Sequence, residues 1–435
     1  MESLTSTTIS APNIAFIKYW GKEDENLIIP MNDSISMTLN RDDFQTTTTV
    51  KQKEKGEDAN DYFELNGKQA PITDRMKSLL DFFRSLLRTN LRETRQIFFY
   101  IKSENSFPTA AGFASSASAY SALVLSLYQY VSHELGIPIP PQLLQAFAES
   151  SKPLSDEMLI IPKDKTIQIQ STHLPLLELS MVARRGSGSA CRSIYGGFVH
   201  WKKSFASDGT SSSSEPSIFD KSHISSGSLQ IAECNHWPTL HLFVCETSNV
   251  QKKVSSTEGM KKLASFPLWK DKRIKNTSKR IEIAKRAILE KDFATLANVT
   301  MEECDEFHQC CEETLSPLNG YLSDTSKKII QLVKNFNETQ KIPKVFYTFD
   351  AGPNAFLFVE EQNLLLLAQI LFSSSLTHNN SKHTTFVSRD EALKQAVLKI
   401  AIQQQSELQI DSENLEIQQI THTTAGSDPL SFVNK

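Results

Sequence analysis

The stretch Phe107-Pro-Thr-Ala-Ala-Gly-Phe-Ala-Ser-Ser-Ala-Ser-Ala119 constrains the fold more than any other part of the chain. The apolar run Ile97–Ile101 before it reads as a buried strand. Tyr120–Tyr130 after it, with Leu123, Leu125 and Leu127 among small residues, reads as a packed helix. Strand, small-residue loop, helix is a geometry suited to phosphate, because the unpaired N–H groups of a helix N-terminus favour an anion. Ala110, Ala111 and Gly112 let a ligand approach the backbone, and Ser115 and Ser116 add hydroxyls for phosphate oxygens or a bound Mg²⁺. No lysine follows as in G-x-x-x-x-G-K-[ST], so this is not a Walker A loop. A tight helix–helix contact made of small residues would use the same composition, and this stretch alone leaves both readings open.

Other strand and helix patterns mix without a regular βαβ beat. Strands are expected at Ile14–Trp20, Asp42–Lys51, Tyr62–Gly67, Phe198–Trp201, Leu240–Cys245, Val345–Phe349 and Ala355–Val359. Helices are expected at Met76–Leu87, Leu174–Ala183, Lys279–Leu289, Phe293–Cys311, Asn363–Phe372 and Glu391–Ile402, with Ser323 able to cap another that runs to Phe336. This is an α+β pattern in two halves. The Ser-rich stretch 203–228 is the best boundary, giving 1–228 and 229–435. A net charge of −4 gives no reason to expect a nucleic-acid partner, and no apolar run approaches the length of a membrane span. The first ten residues lack the basic and apolar regions of a secretory signal, so the cytoplasm is the expected location. The six cysteines show no C-x-x-C pair, so they are read as reduced and structural, with His308 near Cys304 as a packed helix residue.

Four polar groups carry possible chemistry. Lys18, Tyr19 and Lys22 follow the first strand, where the cations suit an anionic substrate or merely a solvated strand end. Ser187, Gly188 and Ser189 precede Arg192, whose guanidinium matches a carboxylate or phosphate with two parallel hydrogen bonds. Ser255-Ser256-Thr257 offers hydroxyls or a helix cap. Asp350 ends a strand at Ala-Gly-Pro, as either an Asx-turn residue or an aimed carboxylate.

Together these stretches resemble the mevalonate diphosphate decarboxylases of the galactokinase/homoserine kinase/mevalonate kinase (GHMP) superfamily. The resemblance is carried by Ala11–Lys22, Phe107–Ala117, Arg185–Arg192, Lys253–Met260, Lys291–Thr295 and Tyr347–Ala355, and more thinly by Ala425-Gly-Ser427. It implies a two-domain GHMP-kinase-like fold with the active site in the cleft between domains. It also implies ATP-dependent decarboxylation of mevalonate 5-diphosphate to isopentenyl diphosphate, with ATP as co-substrate, Mg²⁺ and usually a homodimer. In that setting Asp350 faces the substrate's 3-hydroxyl and Lys18 is the active-site lysine. Arg192 holds the carboxylate, with Ser187 and Ser189 beside it. Tyr19, Lys22 and Ser256 line the diphosphate pocket, and Ala110, Ala111, Gly112, Ser115 and Ser116 form the ATP loop, with Ser115 or Ser116 near Mg²⁺. The competing readings are a decarboxylase of the monophosphate, a kinase-only relative, and a catalytically silent small-molecule sensor. Residues 142–172 and 203–228 are longer than the resemblance expects, and both are read as surface insertions, the first outside the cleft.

Overall fold

The long helix after the small-residue loop is the hub of the N-terminal half. In the computed structural model, which describes residues 4–54, 58–107, 115–161, 174–205, 226–247, 254–264, 266, 269, 273–315, 320–375, 384–407 and 415–434, helix α2 spans Ser115–Leu135. It is buried on several sides, and three of its serines find partners inside the protein. Ser118 bonds Thr46 at 2.6 Å, Ser126 donates to the Thr48 carbonyl at 3.0 Å, and Ser121 donates to the Ser193 carbonyl at 2.8 Å. Such buried hydroxyls are tolerated because they are hydrogen-bonded.

Helix α2 packs on a six-stranded sheet ordered β17 (Leu430–Asn434), β1 (Thr5–Ser10), β6 (Thr46–Gln52), β9 (Phe99–Asn105), β7 (Tyr62–Leu65) and β8 (Lys68–Gln69). Along β6, Thr46, Thr48 and Val50 alternate inward, the period of a half-buried strand. The β7–β8 turn uses Asn66 and Gly67, both at positive φ, as an Asn-Gly hairpin requires. Around α2 lie α1 (Asp74–Leu91), α3 (Pro141–Glu149) and α4 (Leu176–Gly186), with a 3₁₀ segment at Gly188–Ile194. A second sheet runs β11 (Gly227–Ala232), β10 (Phe198–Lys202), β5 (Ser34–Thr38) and β2 (Asn13–Ile17), and β3 (Lys22–Asp24) pairs with β4 (Ile29–Pro30) beside it.

The third sheet runs β13 (Val345–Phe349), β14 (Ala355–Glu360), β12 (Leu240–Glu246), β16 (Gln419–Thr424) and β15 (Thr385–Val387). Its helices are α5 (Ser256–Ala264), α6 (Ile274–Glu290), α7 (Phe293–Thr314), α8 (Asp324–Glu338), α9 (Leu364–Ser375) and α10 (Glu391–Glu407). Ser323 caps α8 in a reciprocal capping box with Ser326. Phe16 of β2 joins the second and third sheets, its ring 5.1 Å from Phe358 and 6.3 Å from Phe346. This is a mixed α+β architecture.

Only the middle of the described part of 142–172 lies at the surface: 150–158 is largely exposed, but the helix before it and two residues after it belong to the core. Helix α3 buries Leu143, Leu144 and Phe147, and beyond it Leu159 and Ile161 enter the same core. Phe147 stacks on Phe82 with ring centres 4.1 Å apart. Arg184 and Arg185 of α4 also tie it down, Arg185 donating to the Phe147 and Ser150 carbonyls at 2.8 and 2.7 Å. Turn residues and mixed charge hid an apolar set spaced over two short pieces. Residues 162–173, with the alternation at Thr166–Gln170, lie outside the described residues, as do 206–225 of the Ser-rich stretch. All six cysteines are free thiols, and among the described residues no helix is long and apolar enough to cross a membrane.

Candidate active site

A cleft of about 650 Å³ opens between the two halves. Its lining gathers Lys18, Tyr19, Lys22, Ser115, Ser116, Ser187, Ser189, Arg192, Ser256 and Asp350 from segments up to 332 residues apart in sequence. Ala110, Ala111 and Gly112 lie outside the described residues.

Lys18 sits one residue past β2, where the buried strand Asn13–Ile17 ends. Asp350 sits one residue past β13. Their side chains meet, Lys18 Nζ standing 2.9 Å from Asp350 Oδ1. The lysine side chain is 4% exposed and the carboxylate 24%, so the pair stands at the cleft wall with the acid open to it. In the turn after β13 it is the Asp350 carbonyl that accepts from the Gly352 N–H, at 2.7 Å. The carboxylate is therefore not consumed by an Asx turn. Thr348 stitches β13 to β2 through the Ala15 carbonyl at 3.2 Å, which fixes the two strand ends side by side.

Arg192 comes from the 3₁₀ segment after α4 and is buried. Its Nε donates to Asn13 Oδ1 at 2.9 Å and its Nη1 to Ser34 Oγ at 3.1 Å. The indole of Trp201 lies 5.8 Å from the guanidinium carbon. Burial lowers the pKa of Arg192, with Asp350 among the charges acting the other way. Among the described residues no carboxylate forms an ion pair with it. A buried guanidinium without a counter-charge is costly unless a ligand supplies one.

Tyr19 packs on Trp201, ring centres 4.4 Å apart, and against Gly188, where any Cβ would fall 2.7 Å from the tyrosine ring. Burial raises its pKa, so it stays a phenol. Its hydroxyl and Trp20 Nε1 are buried without a hydrogen-bond partner. Leaving a buried donor unmade costs about 1–3 kcal/mol. Lys22 is engaged with Glu25 at 2.7 Å, while burial lowers its pKa. Ser116 Oγ and Ser187 Oγ stand 3.2 Å apart, joining the start of α2 to the segment that carries Arg192. Ser255 is the cap of α5, its Oγ accepting from the Glu258 N–H at 3.1 Å, and this leaves Ser256 and Thr257 on the cleft wall.

The sequence reading missed Thr73, Asp74, Arg75 and Tyr120, which also line the cleft. Thr73 caps α1, its Oγ1 accepting from the Met76 N–H and lying 2.8 Å from Tyr120 Oη. The cap was legible as Thr-Asp before a helical pattern, but its direction was not. Among the described residues no group of three or more His, Cys, Asp or Glu could hold a metal ion.

A small-molecule enzyme of the GHMP-kinase fold is the class that this fold and cleft define. The chain is similar to a mevalonate diphosphate decarboxylase from Trypanosoma brucei, with a TM-score of 0.73 at 31% identity over 98% of both chains. The structure named MDDEF in complex with MVAPP, AMPPCP and magnesium is 26% identical with a TM-score of 0.64, covering all of both chains. The family model "Mevalonate 5-diphosphate decarboxylase C-terminal domain" matches residues 242–432. "Diphosphomevalonate decarboxylase-like N-terminal domain" matches 10–148 and 165–214, so 149–164 is what it passes over. The diphosphomevalonate decarboxylase of Candida albicans is 35% identical over 84% of this chain and 88% of its own length. The chain belongs to the diphosphomevalonate decarboxylase family.

Proposed function

We propose that this cleft decarboxylates mevalonate 5-diphosphate with ATP, giving isopentenyl diphosphate, ADP, phosphate and CO₂. The observation that carries the reading is the Lys18–Asp350 pair at 2.9 Å in the same cleft as Arg192, a buried guanidinium with no counter-carboxylate among the described residues. Support also comes from the relatives' names and from the relative solved with MVAPP, AMPPCP and magnesium.

A tertiary alcohol is a weak nucleophile and a poor leaving group. Asp350 orients the 3-hydroxyl and accepts its proton as the oxygen attacks the γ-phosphorus of ATP and ADP departs. Lys18 balances the carboxylate and screens charge on the transferring group. The C3–O bond of the resulting phosphate ester then breaks, the electrons of the bond to the carboxylate carbon form the alkene, and CO₂ leaves. Arg192, held from behind by Asn13 and Ser34, fixes the carboxylate so that this bond aligns with the departing phosphate. That is positioning, because the same ion pair also stabilises the ground state.

Tyr19, Lys22 and Ser256 would meet the diphosphate, with Ser187 and Ser189 beside the carboxylate. Ser115 and Ser116, in the first turn of α2, would meet ATP phosphates at a helix N-terminus. Ser115 or Ser116 would offer a hydroxyl ligand to Mg²⁺ carried on those phosphates. When bound, it neutralises phosphate charge. The family reading further carries a division near residue 228, a cytoplasmic homodimer, and a place in isoprenoid and sterol precursor synthesis. Sedimentation and cell fractionation test the assembly and the location.

The deciding experiment incubates the protein with ATP and either mevalonate 5-diphosphate or the 5-phosphate, following ADP and CO₂ separately. One ADP and one CO₂ per diphosphate consumed, with little turnover of the monophosphate, is the expected result. ADP without CO₂ would leave a kinase. Preference for the monophosphate would move the substrate assignment, and no turnover of either would favour a sensor.

A further inference from the structure

Beneath the Lys18–Asp350 pair lies a cluster of buried charges that the reaction above does not use. Glu303, on α7, and Arg273, the residue before α6, are both completely buried and form an ion pair. Arg280 reaches the other Glu303 oxygen at 2.9 Å and also pairs with Glu306. Arg273 lies over Trp269, 4.1 Å from its ring centre, with Phe307 at 5.8 Å. Arg273 and Arg280 are seven residues apart and Glu303 and Glu306 three apart, so each set faces the other helix.

Stapling α6 to α7 does not by itself account for these residues. Apolar side chains of similar volume join two helices as stably as a buried ion pair, or more so. What apolar side chains cannot do is hold a backbone amide. Glu303 Oε1 accepts the Lys18 N–H at 3.1 Å, and Arg273 Nη2 donates to the Lys18 carbonyl at 3.2 Å. Asn32 donates to the same carbonyl at 3.0 Å. Lys18 lies just past the end of β2, and the cluster grips both polar groups of its backbone there.

The same helix reaches the partner acid. His308 Nε2 stands 3.4 Å from the carbonyl of Phe349, the residue before Asp350. Burial, helped by the Lys18 charge, pushes His308 down to about 3, so the ring is neutral and donates to that carbonyl from Nε2. One rigid element thus holds the backbone on each side of the pair.

We propose that α7 sets the geometry of the Lys18–Asp350 pair, with Glu303, clamped by Arg273, as a positioning residue for Lys18. This rests on the roles given above to Lys18 and Asp350.

The test replaces the charge pair by apolar residues, Arg273→Met with Glu303→Leu, which leaves no buried charge of the pair unmatched. Single-turnover ADP formation, CO₂ release and thermal unfolding are measured in this variant, in Lys18→Met, and in the two combined. A displacement of about 1 Å can cost about 10²-fold in rate. The expected result is a folded protein with ADP and CO₂ formation down about 10- to 100-fold and the KM for ATP within threefold of the parent. In the Lys18→Met background the same replacement should cost nothing more, because the pair acts through Lys18. Turnover within twofold of the parent overturns the proposal, and so do losses that multiply in the combined variant. Lys18→Met at full rate would instead remove the role given to Lys18, and the proposal with it. If the apolar pair fails to fold, Arg273→Lys decides. It keeps the buried charge but shortens the reach by which Arg273 Nη2 meets Glu303 and the Lys18 carbonyl together, and it should lose several-fold in rate in the parent and nothing in Lys18→Met.

Discussion

Asp350 and Arg192 line one cleft but rest on different supports, and that difference separates their roles. Arg192 is built into the N-terminal half by Asn13 and Ser34, so its position is set before any ligand arrives. Asp350 depends on a lysine from the other half of the molecule. Asp350→Asn keeps the shape and removes the charge and the proton acceptor. General-base assistance is worth about 10²–10⁴-fold, and a residue that also orients the hydroxyl should lose at least that much. ADP and CO₂ formation should fall together, because decarboxylation waits on the phosphorylated intermediate, while nucleotide affinity stays near normal. ADP made at a normal rate without CO₂ would place Asp350 in the second step. The types needed for this chemistry were legible in sequence at Lys18, Arg192 and Asp350. Whether Asp350 was a turn residue or an aimed acid was not, since that depends on which of its oxygens the turn uses.

Elements with a strong local signal were read within a few residues. β13 at Val345–Phe349 and the Ser323 cap of α8 are set by an apolar run and a capping pattern that need no distant partner. The polar strands β1, Thr5–Ser10, and β5, Ser34–Thr38, were missed because their hydroxyls are buried against remote groups, such as Ser34 Oγ, which donates to the Ile17 carbonyl. Helix α3 was missed for a related reason, since its apolar residues matter only against α1 and α4. Phe147 is 6% exposed, stacked on Phe82 and covered by Arg185, whose guanidinium carbon lies 5.0 Å from its ring centre. Phe147→Ala should therefore cost about 3–5 kcal/mol, read as a lower urea midpoint at unchanged slope. A cost below about 1 kcal/mol would restore α3 to the surface.

At the scale of the whole molecule, the two halves share structure rather than touching at an edge, and stability should report on both at once. Histidines whose pKa is lowered by burial, His308, His422 and His241, supply a pH dependence. Burial lowers His422 to about 4, where it bonds His241 at 2.8 Å, and lowers His308 to about 3. The unfolded chain takes up these protons near pH 6.5, the folded one only far below. Their stabilisation is thus complete above about pH 6.5 and is lost as the pH falls toward the folded values, at up to about 1.4 kcal/mol per pH unit for each histidine. His422→Gln should flatten the fall in unfolding temperature between pH 7 and 5, and an unchanged slope would show that His422 titrates normally. The crossing of the C-terminal strand makes the sharper case. After β16 in the third sheet the chain passes Ala425-Gly-Ser427 and pairs β17 with β1 of the first sheet. At the crossing the Gly426 N–H donates to the Thr38 carbonyl at 2.9 Å, and the Gly426 carbonyl accepts from the Gly197 N–H at 2.8 Å. A Cβ on Gly426 would lie 2.0 Å from the Leu39 carbonyl oxygen, a backbone atom that cannot turn aside as a side chain can. Gly426→Ala must therefore spread two backbones, at the about 1–3 kcal/mol typical of overpacking. Because Phe16 ties the second sheet to the third and β17 ties the third to the first, unfolding should stay one transition, shifted to lower urea. Separate loss of the N-terminal half, seen as a second transition, would show that the crossing strand adds a contact without coupling the two halves.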